Sequence, residues 1–165
     1  MIGKTYDQIC LGDSAEFSKT FSEADVYLYA GISGDFNPAH VNEAYARNTF
    51  FKTRIAHGML SAGLISAVIG TQLPGPGAIY MQQTLFFMAP VHMGDTVTAR
   101  VEVVEKIDKK RVRLKTICKN QDVLIMLEGE AVVNSLRPQA LTIFRFPFPI
   151  LIVIPTHHRI ELFQF

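Results

Sequence analysis

Cysteine, unbalanced charge and long apolar runs are all scarce in this sequence, and each scarcity argues against a class of protein. The 165 residues include two cysteines, neither in a C-x-x-C pair, so redox and thiolate metal sites are not expected. Sixteen basic and fifteen acidic residues leave a net charge of +1, which argues against nucleic acid or a membrane surface as a partner. No apolar signal segment opens the chain, and the apolar stretch FPFPILIVIP is too short to span a bilayer. We therefore expect a cytoplasmic protein with reduced thiols.

Several catalytic motifs are missing as well. The sequence has no G-x-S-x-G elbow, and LPGPG at 73–77 lacks the Lys and Ser or Thr that complete a phosphate-binding loop. No base is placed to make Ser61 a nucleophile, and a helix serine bonded to its own backbone is the simpler interpretation. The histidines show no H-x-x-x-H or H-E-x-x-H spacing, so we expect no metal and no cofactor. They are His40, His57, His92, His157 and His158.

The first half of the chain predicts short elements. Residues 15–21 alternate weakly, as in a strand. Ser22 is a good helix cap with acidic residues after it, which predicts a helix that ends near Gly31. A glycine and an Asn-Pro pair predict a loop over 31–40, and Asn42 is placed to cap a short helix after it.

The second half predicts one buried helix followed by four antiparallel strands. Residues 58–70 are apolar on every side, which is typical of a buried helix, and their small residues would admit a closely packed sheet. Strands are expected over 78–90, 96–107, 111–119 and 123–134 because apolar and polar residues alternate between turn signals. In the second of them one face carries Val97, Ala99, Val101 and Val103. The pattern predicts an α+β protein in which one sheet wraps around one helix.

The length suits a single domain, with an unusual end. We place the domain at 1–136 and a hydrophobic extension at 137–165, whose prolines and mixed pattern match neither strand nor helix for long. No function is assigned to the extension, which is either an added edge segment or a poorly ordered tail.

The stretch SGDFNPAHVNEAY contains the residues best suited to chemistry. Asp35 lies five positions before His40, and a carboxylate and an imidazole that share one water can hold it and move its proton. Imidazole is a base near neutral pH. A local turn hydrogen bond from Asp35 is the competing interpretation, since Asp often closes such turns.

Gly58, in IAHGML, begins the buried helix. Free N–H groups at a helix start suit a developing oxyanion, and glycine lets a ligand approach the backbone. The alternative is that Gly58 only permits close packing between the helix and the sheet.

Together these stretches resemble the hydratase 2 signature of the MaoC-like, (R)-specific enoyl-CoA hydratases. The matching residues are Gly34-Asp35-x-Asn37-Pro38-x-His40, a Phe near position 50, and Ile55-Ala56-His57-Gly58-Met59. The resemblance extends over about 6–133 and fails after it. It implies a hot-dog fold, in which an antiparallel sheet wraps a long central helix, and a homodimer whose sheets join edge to edge with the thioester site at the interface.

The resemblance also implies an activity and residue roles. Asp35 and His40 would activate one water for reversible addition to a trans-2-enoyl thioester, giving the (R)-3-hydroxyacyl thioester, while the Gly58 amide binds the thioester oxygen. Substrate-binding roles are expected for Asn37, His57, Met59 and Ser61, although Asn37 also looks structural.

Two alternatives stay open on the same fold: an acyl-CoA thioesterase and a non-catalytic subunit that binds acyl thioesters. Acyl chain length and the choice between CoA and acyl carrier protein are also open. Leu60, Leu64 and Phe87 are weak candidates for an acyl tunnel. Candidates for contacts with CoA phosphates are Lys52, Arg54 and the basic residues within 106–111.

Overall fold

The computed structural model describes residues 3–108 and 110–135. The predicted domain boundary at 136 and the extension 137–165 lie outside the described residues.

One five-stranded antiparallel sheet forms the larger layer. Its strands are β1 (Ser14–Thr20), β2 (Ile79–Phe87), β3 (Thr96–Ile107), β4 (Arg111–Lys119) and β5 (Ile125–Asn134). They lie in the order β1-β3-β4-β5-β2, which leaves β1 and β2 at the two edges. In the register, Ser14 lies opposite Glu102 at one edge and Ile79 opposite Asn134 at the other. All five strands were predicted, with β2 ending three residues earlier than expected.

In the part of the chain that the structure describes, four helices accompany the sheet. They are α1 (Glu23–Ser33), α2 (Pro38–Val41), α3 (Glu43–Ala46) and α4 (Gly58–Thr71), and a 3₁₀ turn, Tyr6–Gln8, precedes β1. The predicted caps are confirmed: the Ser22 hydroxyl accepts from the Asp25 N–H at 3.2 Å, and the Asn42 side chain accepts from the Tyr45 N–H at 3.0 Å.

The expectation of a loop over 31–40 was wrong at both ends. Helix α1 continues to Ser33 and stops at Gly34, which has φ of 76° and donates its N–H to Ala30 O. Asn37 and Pro38, interpreted as a turn, instead start α2: the Asn37 side chain is the cap and Pro38 is the first helical residue. Only 34–37 remain irregular between the two helices.

Helix α4 packs against the concave face of the sheet. Its buried residues Leu64, Ile65, Val68 and Ile69 meet the inward side chains of β3, which are at most 1% exposed. The predicted alternation in β3 and the α+β hot-dog fold are confirmed. The small residues were expected to pack closely against the sheet, but Gly63, Ser66 and Gly70 are exposed, and the first two border an open groove beside β2. Bulky side chains fill the core because they bury more apolar area.

Among the described residues, no helix is both long and apolar enough to cross a membrane.

Candidate active site

A cavity of about 610 Å³ opens where the start of α4, the loop 34–37 and the end of β2 meet. Most of its wall is apolar, and four polar side chains of the predicted site border it: Asp35, His40, His57 and Ser61. The apolar lining includes Phe50, Phe51, Phe87, Met88, Val91 and Leu127. Such a cavity suits a ligand with an apolar portion and one polar reacting group.

His40 is buried and held in one orientation. Its Nδ1 lies 2.8 Å from the carbonyl oxygen of Ile55. A carbonyl only accepts, so Nδ1 carries the proton and donates, and in the neutral ring Nε2 is left as a bare acceptor. Helix α2 supplies the ring, and Ile55, which precedes α4, fixes its tautomer. His40 thus offers a base at Nε2.

Asp35 lies in the exposed loop 34–37. Its Oδ1 accepts the Asn37 N–H at 3.2 Å, so the local turn hydrogen bond considered from the sequence is present. Within the described residues, Oδ2 has no recorded partner. One carboxylate oxygen of Asp35 and one ring nitrogen each of His40 and His57 lie within 4.8 Å of one another. The structure therefore brings together the two residues predicted to share a water.

Gly58 is the first residue of α4, and no side chain caps that helix start. In the described part of the chain the Gly58 N–H has no recorded acceptor, and the residue lines the cavity. A Cβ at this position would lie 2.6 Å from the Phe87 ring, so a larger residue displaces that ring. The glycine permits close packing and also leaves an amide donor at the cavity, so its oxyanion role stays a prediction.

The four residues expected to bind substrate separate into two groups. His57, Met59 and Ser61 line the cavity, whereas Asn37 lies outside its lining and its side chain accepts the Ala39 N–H at 3.0 Å. Met59 is 53% exposed, but His57 and Ser61 are each 2% exposed. Within the described residues, the His57 Nδ1 and the Ser61 hydroxyl are buried without a hydrogen-bond partner. Asn37 caps a helix, so its role in substrate binding stays a prediction.

Two ionisable side chains of the sheet, one on β4 and one on β2, stay neutral near pH 7. Burial raises the pKa of the Cys118 thiol to about 12, and its Sγ lies 3.8 Å from Ser61 O. Burial, with a smaller contribution from Cys118, raises the pKa of Tyr80 to about 12. Cys118 is therefore no thiolate nucleophile at neutral pH.

Two of the proposed phosphate contacts are already engaged. The Lys106 ammonium donates to Tyr6 O and Ile9 O at 2.8 and 2.7 Å. The Arg54 side chain is 15% exposed and binds Glu23, Glu43 and the Tyr27 hydroxyl. The expectation that either cation serves a phosphate is not supported by this geometry, because each already has its acceptors. Lys52 is exposed.

The three grouped side chains Asp35, His40 and His57 are of types that ligate metals. The two imidazoles are in contact, with centroids 3.9 Å apart and planes tilted by 35°. One nitrogen of each ring is already bonded to a backbone oxygen, which leaves one nitrogen on each ring as an acceptor. Sequence spacing gave no sign of this cluster, because His57 lies 22 residues from Asp35.

Four residues that shape the site were not predicted as site residues from the sequence. Ile55 fixes the tautomer of His40 with its carbonyl, and Tyr29 packs on His57 at 4.9 Å between ring centroids. Every residue has a carbonyl, so Ile55 carried no chemical signal. Met126 and Leu127 of the lining were interpreted only as strand residues.

Comparison with known proteins supports the same family. The family model described as MaoC like domain matches residues 10–123. An (R)-specific enoyl-CoA hydratase of Rhodospirillum rubrum is 59% identical over 78% of this chain and 89% of its own length. A 3-hydroxybutyryl-CoA dehydratase of Methylorubrum extorquens is 49% identical over 78% and 82%. The solved R-hydratase PhaJ1 of Pseudomonas aeruginosa superposes with a TM-score of 0.77 at 47% identity, over 81% of this chain and 86% of its own. The chain therefore belongs to the MaoC-like dehydratase family.

Proposed function

We propose that this protein is an (R)-specific enoyl-CoA hydratase, a hydro-lyase that reversibly adds water to trans-2-enoyl thioesters. The product is the (R)-3-hydroxyacyl thioester. The observation that carries the proposal is the meeting of the Asp35 carboxylate and the His40 ring at one apolar cavity, beside a free helix N-terminus at Gly58. The similarity to an (R)-specific hydratase at 59% identity supports the same activity.

The proposed mechanism gives each site residue one role. One water donates hydrogen bonds to the Asp35 carboxylate and to His40 Nε2, both of which are acceptors. As the water oxygen bonds to C3, its proton passes to this pair and the C2–C3 π electrons move toward the thioester carbonyl. The Gly58 N–H donates to the carbonyl oxygen as enolate charge develops. The pair then returns a proton to C2 on the same face, so the addition is syn and no atom is left over.

The similarity to an (R)-specific enoyl-CoA hydratase and a 3-hydroxybutyryl-CoA dehydratase favours hydration over thioester hydrolysis. Both reactions use a carbonyl-oxygen donor, but hydrolysis needs the water at C1 and hydration needs it at C3. No observation favours a thioesterase or a non-catalytic subunit, since both acid–base residues are present and converge. The assay described next distinguishes the thioesterase and the binding subunit from the hydratase.

The test follows crotonyl-CoA by loss of its enoyl absorbance, with the crotonyl thioester of acyl carrier protein alongside. We expect loss with (R)-3-hydroxybutyryl-CoA as the product, and a fall of about 10²–10⁴-fold in kcat for Asp35→Asn and for His40→Gln. Cys10→Ser, at an exposed cysteine, is the matched control and keeps full activity. Release of free thiol would identify a thioesterase, and no turnover of short or long enoyl thioesters would leave a binding subunit.

We also propose that the protein acts as a homodimer through β2. Its outer edge is unpaired within the described residues, and Ile79, Met81 and Phe86 are 54–63% exposed along it. A groove of about 450 Å³ lies between β2 and the small residues of α4. An exposed apolar edge strand is usually covered, and pairing with a second copy about a two-fold axis covers both edges at once.

Sedimentation velocity tests this assembly. Wild type is expected at twice the mass of the chain, and Met81→Lys is expected to shift the protein toward monomer. A monomeric wild type with full activity would refute the assembly. The cytoplasmic location expected from the sequence stays a prediction.

A further inference from the structure

His57 lies between α1 and α2, the two helices that flank the loop carrying Asp35. Its ring lies 3.9 Å from the His40 ring of α2 and 4.9 Å from the Tyr29 ring of α1, measured between centroids. It is also the cap residue at the start of α4. One side chain on the most buried helix therefore contacts the elements on both sides of the loop 34–37.

The same side chain ties down the loop itself. His57 Nε2 lies 2.9 Å from the backbone oxygen of Asp35. Other hydrogen bonds of the loop are local: Gly34 N–H to Ala30 O, Asp35 N–H to the Ser33 hydroxyl, and Asn37 N–H to Asp35 Oδ1. Within the described parts of the chain, the bond to His57 is the one hydrogen bond that links this loop to a distant segment.

The protons on the two imidazoles are fixed in opposite senses. The Asp35 carbonyl can only accept, so His57 carries its proton on Nε2, whereas His40 carries its proton on Nδ1. Only 2% of His57 is exposed, which leaves almost no surface for a substrate to touch. A side chain so placed acts on its neighbours and has little to offer a ligand directly.

We propose that His57 is a positioning residue that sets the distance between the Asp35 carboxylate and His40 Nε2. The Nε2–H bond fixes the Asp35 backbone, and the contact between the two rings restricts the orientation of His40. This inference rests on the proposed hydratase function and adds a role beyond it, in place of the direct substrate contact expected from the sequence. A displacement of about 1 Å between acting groups costs about 10²-fold in rate, so loss of His57 should be visible in kcat.

Three substitutions separate the hydrogen bond from the packing. His57→Phe keeps the ring and removes the donor. His57→Gln places an amide N–H near the position of Nε2, and His57→Asn places its amide near Nδ1, out of reach of the Asp35 carbonyl. We expect His57→Phe and His57→Asn to lose about 10²-fold in kcat with KM for crotonyl-CoA changed less than about twofold. The kcat of His57→Gln should be at least about tenfold higher than that of the other two variants.

Each other outcome overturns the proposal. Unchanged kcat in His57→Phe would mean that the bond positions nothing. A raised KM with unchanged kcat would mean direct substrate contact, and equal damage in the Gln and Asn variants would mean that the donor is irrelevant. If His57→Phe fails to fold, as thermal unfolding would reveal, the comparison of Gln with Asn decides.

A second readout separates this inference from the proposed function. Hydrogen exchange of the peptide that contains 34–41 should be faster in His57→Asn than in wild type and near wild type in His57→Gln. This comparison needs no turnover. Inactivity of the wild type on enoyl thioesters would refute the hydratase, whereas equal exchange in all variants would refute the positioning role alone.

Discussion

Replacing Gly58 by proline removes the backbone N–H of residue 58 from the proposed site, while α4 stays intact. Proline is favoured at the first position of a helix, because its φ is already helical and the N–H that it lacks has no partner within the helix. His57 precedes it with φ of −62° and ψ of 134°, an extended conformation that the residue before proline accepts. The substitution therefore deletes the amide donor at little cost to the backbone conformation of α4.

Gly58→Ala is the matched control. Alanine keeps the N–H but adds the same Cβ, which would lie 2.6 Å from the Phe87 ring in either variant, so the ring must move in both. The ratio of the two variants then isolates the hydrogen bond to the thioester oxygen. Loss of one oxyanion donor costs about 10²–10³-fold in kcat, or about 2.7–4 kcal/mol of transition-state stabilisation.

The assay measures kcat and KM for crotonyl-CoA with wild type, Gly58→Ala and Gly58→Pro, together with their thermal midpoints. We expect the proline variant to fall about 10²–10³-fold below the alanine variant in kcat, with midpoints that agree within a few degrees. Equal kcat in the two variants would refute the role of the Gly58 amide. A large drop in the midpoint of Gly58→Pro alone would refute the argument that proline fits here.

Three further predictions concern the fold. Ile65→Ala, in a fully buried position of α4, should lower the free energy of unfolding by about 2–5 kcal/mol in urea titrations at fixed protein concentration; a loss below about 1 kcal/mol would contradict the packing described. A hydrogen bond from the Ser22 hydroxyl is the main cause that lowers the pKa of Asp25 from 3.8 to about 2. The ionised Asp25 therefore stabilises the folded state fully above pH 3.8, and this stabilisation is lost as the pH falls through about 2. The stability difference between wild type and Asp25→Asn should therefore shrink on acidification, and a difference independent of pH would exclude this linkage. Iodoacetamide at mildly alkaline pH should label the exposed Cys10 of the native protein and should label Cys118 only after denaturation, because burial raises the pKa of Cys118 to about 12. Mass spectrometry counts the labels, and two labels on the native protein would contradict the burial of Cys118.

The features that the sequence predicted well are those with local signals. The alternation of β3 is a period-two pattern, and the cap at Ser22 is a spacing of three residues, so both could be inferred from neighbouring positions. The pair Asp35 and His40 was likewise found because both lie in one short stretch. Each of these inferences needed no knowledge of what lies across the fold.

Other features could not be inferred because they depend on distant backbone groups or on a choice between faces. The bond from His40 to Ile55 O spans 15 residues and the bond from His57 to Asp35 O spans 22, and backbone oxygens look the same at every position. Helix α4 has no polar stripe, so its sequence did not indicate that Gly63 would be exposed to solvent. The pair Asn37-Pro38 serves a turn or a helix start equally well.

The position of α4 ahead of four of the five strands has a consequence for synthesis of the protein. The ribosome makes this apolar helix before those four strands, and 63 more residues must follow before Asn134 completes the last of them. At about 5–20 residues per second, the nascent helix waits roughly 3–13 s for its sheet. Chaperones therefore have a defined interval in which to bind Leu64, Ile65 and Val68, and slower translation after Thr71 should increase aggregation of the newly made chain.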